Sequence, residues 1–394
     1  MNKNLLAGMA MTLATGATVA APEAGPIEMS GYMRVGGGVN AHGTRQVCFA
    51  LPGADAKWRL GNECDHVIEP TFDARLASSD ELQWHVRAMP SSYNGWSAID
   101  SQTGKLNPRF GQAYTYLSGI QALGGGKAWV GRRFYNRLQL GINDQFLENN
   151  DGEGMGLEDM KFGPGRLSAG LVISPQTSRP DNRLAMPIRY EGIKTLPQGD
   201  LAVYLTPSVQ RRRSTPLPPG AASADPKGLA LGLYQTLNWS ASSSTLLGLR
   251  RDRTGDETNT RFVVQQGGML PTVATHWDAI GEYRLNTKAG VDSRWISLGG
   301  RTDTHLSGPF RALVELGGDQ VRPDNAPTRQ MAKLTVAGAV SLGEEASSRP
   351  TLRLFVTHAA WNDATRVQLS ERLQQVYGDQ KSGTSYGLQF ESWW

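Results

Sequence analysis

The chain has 394 residues, a mean hydropathy of −0.38 and a formal charge of only +4, from 40 basic and 36 acidic residues mixed along its length. That balance gives no basic stripe for a nucleic-acid partner, and beyond residues 1–21 no run of about 18 apolar residues could cross a bilayer as a helix. The 46 Gly, 10 Trp and 11 Tyr suit strands that turn one residue to lipid and the next to water, with a secreted soluble all-β protein as the competing reading.

Lys3 precedes an apolar stretch, residues 5–20, that ends in small residues before Pro22. This is the three-part pattern of a secretory signal, so residues 1–21 are expected to be removed, after Ala20 or Ala21, leaving 22–394 as one transmembrane barrel domain. The first mature strand alternates Ile27, Met29, Gly31, Met33 and Val35 with Glu28, Ser30, Tyr32, Arg34 and Gly36, one set for lipid and one for water. Cys48 and Cys64 follow in a long connection; in an exported chain they point to one disulfide, two free thiols being the other reading.

Two more strands repeat the period: Ile68, Phe72, Ala74 and Leu76 against Glu69, Thr71, Asp73 and Arg75, then Leu82, Trp84, Val86 and Ala88 against Gln83, His85 and Arg87. Connections here run long, short, long, which sets the N-terminus on the periplasmic side and the cysteines in the first outer loop. Gly124-Gly125-Gly126-Lys127 lacks phosphate-loop spacing and reads as a periplasmic turn. The glycines of 151–156 read as turn geometry inside a loop. The same strand texture recurs at 167–173, 310–316, 334–342 and 352–357, on both sides of a Pro- and Ser-rich loop at 214–227. The chain ends on Tyr386, Leu388, Phe390, Ser392 and Trp394 alternating with Gly387, Gln389, Glu391 and Trp393, as a closing barrel strand does. The reading is an all-β antiparallel transmembrane barrel of about eighteen strands, sixteen remaining compatible. Six histidines show no zinc spacing and no nucleophile elbow occurs, so neither metal nor cofactor is expected; His85 with Asp73 is the nearest approach to an enzymatic pair.

Several segments together resemble the maltoporin family: Ser30 to Arg34, the run Lys57-Trp58-Arg59-Leu60-Gly61-Asn62-Glu63 into Cys64, Trp129 to Tyr135, Gly156-Leu157-Glu158, Ser348-Arg349-Pro350 and Glu391 to Trp394. The match touches both ends and residues 1–170 in order, while 171–346 is carried mainly by strand texture. The resemblance implies an eighteen-stranded homotrimer in the bacterial outer membrane whose third outer loop narrows a sugar channel. Sugars there would slide on aromatic rings while their hydroxyls exchange hydrogen bonds with charged side chains.

On this chain the implied rings are Tyr32, Trp96 (lent to a neighbouring subunit), Phe146 at the constriction, without a hydroxyl, and Trp393. Three further ring positions fall on Val67, Ser347 and Leu231. The implied polar track keeps Arg34, Arg59, Glu69, Arg137 and Asp144, while Gly111 and Gln139 replace an arginine and an acid. The expected function is passive diffusion of maltose, maltodextrin or related short carbohydrates. The alternatives are a non-specific or mildly anion-preferring porin and, further off, a barrel enzyme.

Overall fold

The computed structural model describes residues 26–95, 109–175, 182–211, 226–270 and 273–394. The expected signal segment 1–21 and Trp96 lie outside the described residues. Antiparallel neighbours run in chain order, and the first strand, Ile27–Asn40, pairs both with Asp65–Ser79 and with the last strand, Ser382–Trp393. Register partners Tyr32 and Trp393 begin that seam and Asn40 and Ser385 end it, so the sheet closes and has no free edge. Asn182–Ala185 and Ile188–Leu196 both pair with Gly165–Pro175 and Gly199–Arg211, which makes them one barrel strand interrupted at Pro187, where no N–H is available to the ladder. Counted so, the described residues form 18 strands.

The period-2 pattern faces as expected. In Arg329–Ser341, Leu334, Val336 and Val340 are exposed to lipid while Lys333, Thr335 and Ala337 are buried inward. In Phe310–Pro323, Val314 and Leu316 face out while Arg311 and Glu315 face in. Tyr386 and Leu388 are outward and Glu391 is buried, as the terminal alternation predicts.

Two details differ from expectation. The glycines of 151–156 belong to a barrel strand, Gly152–Phe162, and not to a turn. They face the lumen, where a Cβ on Gly156 would stand 2.9 Å from the Trp129 indole nitrogen, and one on Gly152 or Gly154 would press on the carbonyl oxygen of Ile173 or Leu171 in the next strand. Long and short connections also stop alternating: outer turns at Gly255–Asp256 and Ala289–Gly290 are two residues long, whereas the periplasmic connection 342–350 is longer.

Two long connections fold into the barrel. Residues 41–64, closed by the Cys48–Cys64 disulfide, lie along the inner wall made by strands from Thr275 to Trp361. Val47, Phe49, Leu51 and Ala56 pack there with Trp295, Val321, Met331, Ala359 and Trp361, and with Leu369, Leu373 and Tyr377 of the last outer connection. Trp58 lies against Gly317 and Gly299, where a Cβ would stand 2.0 Å and 2.6 Å from its ring atoms; only glycine leaves that room. The loop's irregular backbone is satisfied by the wall: Arg284 donates to Gly53 O at 2.7 Å, Arg329 to Pro52 O at 2.9 Å, Thr335 to Leu60 O at 3.0 Å, and Glu315 accepts from Leu60 N at 2.9 Å. The first loop is thus an inner lining and not an external loop merely steadied by its bridge.

Candidate pore constriction and permeation track

The second inward segment, residues 134–151, contains a small hairpin, Leu138–Leu140 with Gln145–Glu148. It crosses the lumen because one of its faces is apolar. Leu140, Ile142 and Leu147 are buried with Trp58, Tyr204, Tyr234, Val263 and Ile280. Its polar ends are fixed to the far wall: Tyr234 Oη donates to Glu148 at 2.8 Å, Arg250 also pairs with Glu148, and Asn143 donates to Glu282. The two inward segments meet, since Lys57 N and Arg59 N each donate at 3.1 Å to the carbonyls of Asn143 and Ile142.

The opposite face of the hairpin carries the sequence-predicted constriction residues. Arg137 lies over the Phe134 ring at 3.3 Å and the Phe146 ring at 5.1 Å, and pairs with Asp151. Asp144 faces Lys57 at 3.5 Å and accepts from Gln139 at 3.1 Å. These groups keep about a quarter to a third of their side-chain surface exposed, so they border open lumen.

Tyr32, Arg34 and Arg59 come together beside the seam. Tyr32 Oη donates to Glu391 at 2.8 Å and accepts from Arg34 at 3.0 Å and Arg59 at 2.7 Å. Glu63 joins both arginines, Asp65 pairs with Arg34 and accepts from Tyr93 at 2.9 Å, and Glu391 also meets Arg349 and Arg353. Burial disfavours charge on Arg59, but Glu63 and then Glu391 outweigh it and hold that guanidinium well above its ordinary value. Glu69 stands apart, accepting from Ser91 at 2.9 Å. Trp393 faces the lumen beside Tyr32 in register, and the Arg349 guanidinium lies 3.6 Å from its ring centre. Burial pushes Arg349 down to about 10. Leu231 points to lipid, so it does not stand at a lumen ring position.

At the periplasmic end the lumen widens into a cavity of about 860 Å³, bordered by His276, Asp278, Arg301, Asp303, Arg349 and Trp393. Of these only Trp393 was named as a site residue from the sequence; sequence reasoning missed the others, along with Glu63, Asp65, Arg353 and Glu391, and the inward parity of Arg353 and Glu391 was the signal that could have found them. It also missed the rings around Arg133, which lies 4.8 Å, 4.9 Å and 5.3 Å from the centres of Tyr114, Trp129 and Tyr135. His85 does meet Asp73 at 2.9 Å, but its second nitrogen meets the Gln83 amide at 3.2 Å and Asp73 also serves Arg87 and Tyr116, so among the described residues this imidazole is bonded to no hydroxyl it could activate.

The family model described as LamB porin matches residues 27–394. Similar solved structures include a loop L8 deletion mutant of OmpT, an outer membrane protein of Vibrio cholerae, at 7% identity and TM-score 0.46, covering 93% of this chain and 99% of that one. An anion-selective porin from Comamonas acidovorans gives 9%, 0.45, 94% and 100% in the same order. The outer membrane channel DcaP of Acinetobacter baumannii gives 13%, 0.45, 96% and 100%.

Proposed function

The chain belongs to the LamB porin family, and on that footing we propose that it passes short carbohydrates by passive diffusion, as a homotrimer, along the aromatic and charged groups of its lumen. It is a bacterial outer-membrane porin, a channel and not an enzyme. The observation that carries the sugar reading is the exposed face of the inward hairpin, where Phe146, Arg137 and Asp144 stand together opposite Lys57. A pyranose has an apolar face that stacks on a ring and a hydroxyl edge that needs both donors and acceptors, and this face supplies each within one turn of chain. Tyr32 and Trp393, neighbours in register at the seam, support a continuation of the track toward the periplasm.

One observation favours the second reading, a porin with mild anion preference. Arg349 lies over Trp393, so a permeant arriving there meets a guanidinium as well as an indole face. Each stacked ring adds about 0.5 to 1.5 kcal/mol, so three missing rings weaken a long glucan by roughly 1.5 to 4.5 kcal/mol, comparable with the whole of a millimolar site. The expectation is weak block by linear malto-oligosaccharides and better passage of short sugars. Planar-bilayer conductance with and without maltose and maltohexaose decides: micromolar block by maltohexaose would overturn this placement of the track. Reversal potentials at low salt separate the anion reading, which clear cation preference would sink.

A further inference from the structure

The outer wall carries charge where lipid-facing residues are otherwise apolar. In Ser243–Thr254, Leu247 and Leu249 face lipid, while Arg250 faces in and donates to Leu147 O at 2.9 Å. Strand parity therefore turns Arg251 and Arg253 outward, and both are exposed. Their register partners on one side are the exposed, lipid-facing Leu231 and Leu229, and on the other Thr260 and Thr258, which share the outward face of Phe262 and Val264. Lys227 stands outward at the top of the first of these strands.

The height is informative. These positions end the apolar belt at the outer rim, directly below the two-residue turn Gly255–Asp256. Elsewhere on the rim a lipid-side arginine is neutralised: Arg294 meets Asp324 at 2.7 Å. Among the described residues neither Arg251 nor Arg253 has a carboxylate partner; Arg253 donates only to Gly255 O at 3.3 Å. Two such stems can lie along leucines while the guanidiniums reach the headgroup layer, and paired forks beside two hydroxyls suit a tetrahedral oxyanion.

We propose that Arg251 and Arg253, with Thr258 and Thr260 beside them, form an outward-facing site for the phosphate-bearing headgroup of an outer-leaflet lipid. This rests on the proposed trimer, in which the loop after Leu82–Gly95 meets the neighbouring subunit: the strands concerned lie about half-way round the ring from that strand and so face lipid. The occupant's acyl chains then cover Leu229, Leu231, Leu247 and Leu249 below.

The test titrates purified protein in mild detergent with bis-phosphorylated lipid A, the same lipid stripped of phosphate, and inorganic phosphate, counting bound molecules by native mass spectrometry. The native protein should retain the phosphorylated lipid. Arg251→Gln should weaken retention about fivefold and Arg251→Gln with Arg253→Gln about 30-fold, whereas lysine at both positions largely restores it. Single-channel conductance checks assembly, since both side chains face away from the lumen. Equal retention of phosphorylated and stripped lipid, or of lipid by native and glutamine forms, overturns the proposal, as does displacement by equimolar inorganic phosphate. Should the glutamine form fail to assemble, the phosphorylated and stripped lipids on the native protein decide alone.

Discussion

The two segments that fill the lumen are built differently. Residues 41–64 are closed by a disulfide and sunk in an apolar core whose other members come from residues 295–377. The hairpin of 134–151 has no covalent tie; Leu140, Ile142 and Leu147 anchor one face, carboxylates fix its ends, and Arg137, Asp144 and Phe146 stay at open lumen. The first segment reshapes the wall and brings Lys57 and Arg59 to its edge, while the hairpin presents Arg137, Asp144 and Phe146 to the permeant. A loop that lines a wall can bury its apolar side chains and pair its charges with that wall, whereas a loop that meets a hydrated permeant must keep one face open.

Replacing Trp58 by Ala should separate the two segments most sharply. It removes a buried indole from over Gly317 and Gly299 and from the cluster it shares with the hairpin, a loss of about 3–5 kcal/mol of packing. The expected outcome is a lower midpoint for heat-induced barrel opening together with higher single-channel conductance. An unchanged conductance would mean that the lining does not depend on this anchor.

Removing the bridge, with Cys48→Ser and Cys64→Ser together, should cost about 3 kcal/mol of loop order while the ladder still closes. Non-reducing peptide mapping of the native protein should first show one crosslinked peptide and no alkylatable thiol. The double variant should still run as a heat-modifiable barrel, with noisier current; failure to form a barrel would show that the lining is needed for closure.

Glu148→Gln tests the hairpin's fastening. It removes the charge facing Arg250 and weakens the bond from Tyr234, about 1–3 kcal/mol at a buried site, so the hairpin should fluctuate and current noise should rise while the barrel stays closed. Crosslinking at low concentration that yields only monomer in the native protein would remove the proposed role of Trp96.

The smallest expected effect on stability, and the most direct on permeation, is from Phe146→Ala. Conductance should rise and any sugar block fall, because this ring stands only partly buried at the constriction. No change in either quantity would detach the track from this residue.

Much of the barrel was legible in the sequence because lipid imposes a local rule. Within the hydrocarbon belt the outward residues of a spanning strand are apolar, so Leu352, Leu354 and Val356 announce their outward face with no knowledge of their neighbours. The terminal aromatic strand and the cysteine pair were legible for the same reason, each being a local signal. The inward side was legible only as parity: Arg34 and Glu391 could be set facing water, but their meeting through Tyr32 spans most of the chain and depends on closure of the first strand on the last.

The lumen segments had no such rule. Phe49, Leu51, Trp58 and Leu60 are apolar in a connection that should have been polar if it lay outside, which was the available sign that it folds in. Where it folds could not be read, because its partners Gly317, Lys333 and Thr335 are more than 200 residues away and carry no motif of their own. The sequence alone thus determined the strands, their lipid face and the family, since a bilayer tests each residue locally. Only the tertiary structure decided that the first loop lines the wall, that Arg349 covers Trp393 and that Leu231 faces lipid, because these depend on contacts that exist only once the ring has closed.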